Sequence, residues 1–89
     1  MQGGGGGAVS YEAQKAIARQ RKKLERAVAE AEAEIAEIEA AIHLLEDRMS
    51  TPEGAADTSL YERHSRLKAK LETTEATWLE ASEALSELS

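Results

Sequence analysis

The amino-acid sequence predicts an all-α fold, an antiparallel two-helix coiled-coil hairpin. Three observations predict it: a composition dominated by strong helix formers, an apolar heptad repeat on both sides of a single proline, and charge blocks that alternate in sign. Phenylalanine and cysteine are absent, and aromatic residues make up 3% of the 89. That argues against a sandwich or barrel, where aromatic and β-branched residues dominate. Alanine, glutamate, leucine, lysine and arginine supply most of residues 11–89, as in long helices. A chain this short holds one domain at most, with a core that gives only marginal stability. Without cysteine, neither a disulfide nor a thiolate–metal site supplements it.

Residues 1–9, with glycine at every position from Gly3 to Gly7, read as a flexible linker, because glycine loses the most backbone entropy on ordering. A tether implies something at its other end, so the chain reads as one domain of a longer gene product. Helix 1 is expected over about 10–50, with Ser10 as N-cap and Glu12 near the positive helix end. Its a positions are Gln14, Arg21, Val28, Ile35, Ile42 and Met49, and its d positions Ser10, Ile17, Leu24, Ala31, Ile38 and Leu45. The pattern is cleanest from Leu24 to Met49. A loop over 51–57 follows: Pro52 removes a backbone donor and disfavours helix at Thr51, and Gly54 permits positive φ. Helix 2 is expected over about 58–88, opened by a Ser59–Glu62 capping box. Its a positions are His64, Leu71, Trp78 and Leu85, and its d positions Leu60, Leu67, Thr74, Ala81 and Leu88.

Folding the chain back at the loop fixes which layers face one another. Met49 meets Leu60, Leu45 meets His64, Ala31 meets Trp78, Val28 meets Ala81, and the last layer pairs Arg21 with Leu88. The largest side chain lands opposite a small one, as packed layers require. At about 2 kcal/mol per large apolar side chain buried, these layers offset the ordering entropy by a small margin. The reading is a monomeric hairpin, although the alanine-rich flanks (Ala27, Ala29, Ala33, Ala36, Ala40, Ala41) leave room for a second hairpin in a bundle.

The net charge is −6, which taken whole disfavours nucleic acid. The distribution carries more: residues 1–29 are net +4, 30–57 net −8, 58–70 net +3 and 71–89 net −5. In the hairpin register the acidic block of helix 1 runs beside Arg63–Lys70, with Glu39 and Lys68 on matching flanks, and the basic half of helix 1 runs beside Glu80–Glu87. Complementary halves favour antiparallel pairing. No apolar run is long enough to cross a bilayer and no signal peptide opens the chain, so a soluble cytoplasmic protein with no membrane partner is expected.

Little in the sequence carries chemistry. His43 and Asp47 have a metal-compatible spacing but face water without a further histidine or cysteine, so a solvated pair is the expectation. His64 falls at a core position and is expected to pack on Leu45 with its polar edge in water. Gly3–Gly7 lacks the Gly-Lys-Ser/Thr ending of a phosphate-binding loop, and a two-helix hairpin has no pocket for a catalytic base. No catalytic residue, metal site or cofactor is assigned to this chain. One feature stands apart: Lys15, Arg19, Lys22, Lys23 and Arg26 form an outward stripe about 16 Å long, from the helical rise. Such a stripe can meet phosphates and release counterions, with Tyr11 at the same end as a stacking surface.

The opening Val9-Ser10-Tyr11-Glu12-Ala13-Gln14-Lys15 resembles the start of the C-terminal coiled-coil domain of Uup-type ABC-F ATPases, which are ATP-binding cassette proteins. The segment Ala76-Thr77-Trp78-Leu79-Glu80-Ala81-Ser82-Glu83-Ala84-Leu85 is similar to that domain's closing segment. Between them lie a long helix, a proline break and a shorter return helix, as in the family. The departures are Glu12-Ala13, where the family favours Lys-Glu, and Leu79, where an acid is usual. The resemblance implies a cytoplasmic parent with two ATPase domains, to which any ATP and Mg²⁺ chemistry belongs. It also implies an accessory hairpin that contacts DNA or ribosomal RNA. The alternative expectation is a structural spacer or a protein-docking and oligomerisation coiled coil without nucleic acid.

Overall fold

The computed structural model describes the backbone of residues 2–88 and the side chains of residues 10–88. Among these residues every regular element is helical: α1 spans Gln2–Met49, α2 Pro52–Ala55 and α3 Thr58–Leu88. The molecule is a rod of 79 × 15 × 14 Å. Its long dimension matches α1, which at about 1.5 Å rise per residue is about 72 Å long, and its width fits two helices side by side.

Between Arg21 and Leu88 every a and d position is withdrawn from solvent, and Ala27, Ala41, Glu46, Gly54, Ser82 and Ala84 are withdrawn beside them. Ile38, Ile42, Leu45 and Leu60 are buried next to the turn, Leu60 most deeply at 2% exposure. Ala31, Thr74 and Ala81 continue the buried strip, and Leu24, Val28, Ile35, Leu67, Leu71, Trp78 and Leu85 are half-buried. Polar contacts between the long helices descend in α1 as they ascend in α3. Glu46 meets His64 at 2.8 Å, Glu34 meets Lys70 at 4.0 Å, Glu32 accepts from the Trp78 indole at 3.0 Å, and Arg21 donates to the Leu88 carbonyl at 3.0 Å. Thr74 is a polar residue in the strip. Its hydroxyl donates to the Lys70 carbonyl at 2.8 Å, which satisfies it without a partner on α1.

Several local expectations change. Ser10 is not an N-cap, because α1 begins at Gln2 and includes the glycine stretch read as a linker. The connection contains a short helix. Thr51 is extended (φ −84°, ψ 158°) and caps α2, accepting from the Gly54 amide, while Pro52 occupies the first turn, where a missing N–H costs nothing. The same Thr51 hydroxyl donates to the Arg48 carbonyl at 2.7 Å, tying α2 to the end of α1. Gly54 is needed for a different reason from the one expected: no glycine has positive φ among the described residues. A side chain at Gly54 would run into the Arg48 carbonyl. Asp57 rather than Ser59 caps α3, accepting from the Ser59 amide at 2.9 Å and the Ser59 hydroxyl at 2.7 Å. Those bonds stabilise the Asp57 carboxylate and hold its pKa below the ordinary value.

The charge pairing is also sparser than the sequence pattern suggests. Among the described residues Lys70 is paired with Glu34 at 4.0 Å, but no ion pair joins Glu39 to Lys68 or the basic half of α1 to Glu80–Glu87. Alternating blocks place opposite charges on adjacent helices. They do not place them within contact of one another, and long exposed side chains lose entropy when held in a pair.

Candidate nucleic-acid interface

The seam ends where α3 runs out. Arg21, an a position, spends its guanidinium on the Leu88 carbonyl, one of the carbonyls that a helix leaves without an internal acceptor role at its C-terminus. N-terminal to Arg21, α1 overhangs. Every side chain from Ser10 to Gln20 is exposed, including Tyr11 at 61% and Ile17, a d position with nothing to face, at 43%.

Lys15 and Arg19 lie on this overhang, and Lys22, Lys23 and Arg26 continue along the exposed outer side of α1 beside the paired stretch. Consecutive members are three, four or one apart in number, so one helix face presents all of them. None forms an ion pair among the described residues. Lys15 has its ammonium 5.5 Å from the Tyr11 ring centroid, within cation–π range. Lys15, Ala18, Arg19 and Lys22 line a shallow groove of about 260 Å³. The structure therefore brings the five predicted residues onto one continuous solvent-facing surface, with the aromatic ring at its end.

Two features escaped sequence reasoning. Glu46 lies between two histidines, 2.8 Å from His64 Nε2 and 3.9 Å from His43 Nδ1. The bond from His64, and then its proximity as a charge, lowers the Glu46 pKa. His64 thus finds a carboxylate where only water was expected. The signal was available in the heptad frame, since Glu46 follows Leu45, the residue facing His64. Trp78 likewise bonds Glu32, which follows Ala31, its facing residue. Among the described residues no three His, Asp or Glu side chains are placed together to hold a metal ion. A groove of about 430 Å³ is lined by Glu32, Ile35, Glu75, Trp78 and Leu79.

No helix among the described residues is long and apolar enough to cross a membrane. The fold and site define a class, an extended helical rod with one uncompensated cationic end. No family model, no curated protein and no solved structure matches the chain.

Proposed function

We propose that this chain is an antiparallel two-helix coiled-coil hairpin that binds nucleic acid through backbone phosphates at Lys15, Arg19, Lys22, Lys23 and Arg26, with little reading of sequence. In this reading it is a non-catalytic accessory domain of a cytoplasmic ABC-F type ATPase, tethered through its glycine stretch to domains that carry ATP and Mg²⁺. The observation that carries the proposal is the unpaired cationic stripe beside an overhanging helix end, on a protein whose net charge is −6. Order-reversed contacts from Glu46–His64 to Arg21–Leu88 support the hairpin, and the two family-like end segments support the parent.

Titration of the chain with duplex DNA and with structured RNA at low and moderate salt tests the reading. Five phosphate contacts predict a log–log salt slope of about −4.5 on duplex DNA. Lys22→Glu, Lys23→Glu and Arg26→Glu together abolish binding while leaving helicity intact, because all three side chains are exposed. Undiminished affinity in that triple variant overturns the stripe.

A second reading, a spacer or a protein-docking and oligomerisation coiled coil without nucleic acid, is favoured by Ile17, an apolar d position left facing solvent. Ile17→Lys separates the two: it abolishes capture of a helix by the overhang and leaves phosphate binding intact.

A further inference from the structure

We propose that two copies of this chain associate through α3, crossing in opposite directions about Thr73, so that the basic first half of each helix meets the acidic second half of the other. The inference starts from charges that the hairpin leaves unused. Among the described residues Arg48, Arg63 and Arg66 form no ion pair, and neither do Glu72, Glu75, Glu80, Glu83 and Glu87. Complementary blocks that the sequence places in one molecule thus remain available between molecules.

Their placement suits a two-fold contact. Arg66, Glu80 and Glu87 occupy the same heptad position and so project from one side of α3. Arg63 and Glu83 flank that row. In an antiparallel crossing Arg66 opposes Glu80 of the second copy; the pair centres on residue 73, so it forms twice, while Arg63 and Glu83 add charge of the same two signs on either side of the row. A self-complementary patch of this kind closes as a dimer instead of propagating as a filament. The same register puts Glu62 opposite Ala84, so no like charges collide along the row.

Apolar surface lies on the same side. Ala41, Arg63, Arg66, Leu67 and Lys70 line one groove of about 310 Å³, and an adjoining groove of about 430 Å³ is bounded by Leu44, Leu45, Arg48 and Arg63. Leu44, 68% exposed, stands at the edge of the second groove. The ridge that would cover them, Thr77 and Ala84, is built of small side chains that permit close approach of the helices. Burial of Leu44 supplements charge pairs that are each weak when exposed to solvent, and the contact adds core to a fold short of it. The stripe from Lys15 to Arg26 lies outside the contact.

Sedimentation equilibrium of the whole chain across a concentration series, at low and high salt, tests the proposal. The expected result is a weight-average mass rising from 9.6 kDa toward twice that value at low salt, with the rise suppressed by high salt. Arg63→Glu with Arg66→Glu weakens self-association at least about tenfold, as does Glu80→Arg with Glu83→Arg. Mixing those two variants restores a dimer through opposite charges. Circular dichroism of each variant confirms that the helices persist, and the mixing arm keeps the test decisive if one variant is less stable. A mass that stays at the monomer value at every concentration overturns the proposal. So does a dimer indifferent to both charge reversals.

Discussion

α1 contains two stretches that share one helix and one heptad frame yet behave differently. From Arg21 to Met49 the a and d side chains are buried or half-buried against α3; from Ser10 to Gln20 every side chain is exposed. The difference lies in what stands opposite. Both stretches carry helix formers, so propensity does not separate them, and most helical stability in proteins comes from packing an apolar face. The paired stretch has its order fixed by the seam. The overhang has a single apolar d residue, Ile17, and apart from the Tyr11 ring presents charge and small or polar groups. A helix that continues past its partner is thus free to use its surface for contact.

The contrast is broken most severely by cutting into the seam. Leu60→Ala, at the most deeply buried side chain, is expected to cost about 2–5 kcal/mol, whereas Ile17→Ala on the overhang costs under about 0.5 kcal/mol. Thermal or denaturant unfolding measures both, and equal effects would mean that the overhang is packed. Next in size is Gly54→Ala. The added methyl collides with the Arg48 carbonyl, which is backbone and cannot swing aside, so a loss of about 1–3 kcal/mol is expected from overpacking. Unchanged stability would mean that the turn rearranges freely.

A smaller effect comes from acid. The Glu46 and Asp57 carboxyls have folded-state pKa values below their ordinary ones, through the His64 and Ser59 bonds respectively. A depressed pKa means that the unfolded chain binds the proton more readily, so these groups contribute stability above the ordinary carboxylate pKa, about 4. That contribution disappears as pH falls through the folded values. Glu46→Gln therefore flattens the acid limb of a stability–pH profile. An unaltered acid limb would remove the His64–Glu46 bond from the account. The overhang carries no such bond, so Lys15→Gln is expected to alter stability by less than about 0.5 kcal/mol, while reducing the DNA salt slope by about 1.

How much of this was legible in the sequence follows from the same contrast. The a and d frame located the withdrawn side chains from Arg21 to Leu88 because helical periodicity is a property of the chain itself. The five residues of the stripe were legible for the same reason, since spacing decides which side chains share a face. Capping was less legible. Ser59 and Asp57 are both good caps, and the choice depends on where the chain enters α3 after a turn whose own helix the sequence did not announce. The need for glycine at position 54 is steric, not conformational, because the neighbour that forbids a side chain is the Arg48 carbonyl, brought close by the Thr51 bonds. Charge pairing was least legible. Block complementarity suggested Glu39 with Lys68, but side chains at the edges of the seam choose among several partners, and Glu46 and Glu32 turn instead to His64 and Trp78, the aromatic groups of the seam itself.

The register on which both the seam and the overhang depend can be tested with cysteine pairs, because the native chain has none. Val28→Cys with Ala81→Cys occupies one expected layer, and under mild oxidation it should form an intramolecular disulfide at every protein concentration. Val28→Cys with Leu71→Cys, displaced along the rod, should not. Efficient closure of the displaced pair, or closure of the first pair only between molecules, would contradict the pairing of α1 with α3 and leave the cationic end without its place.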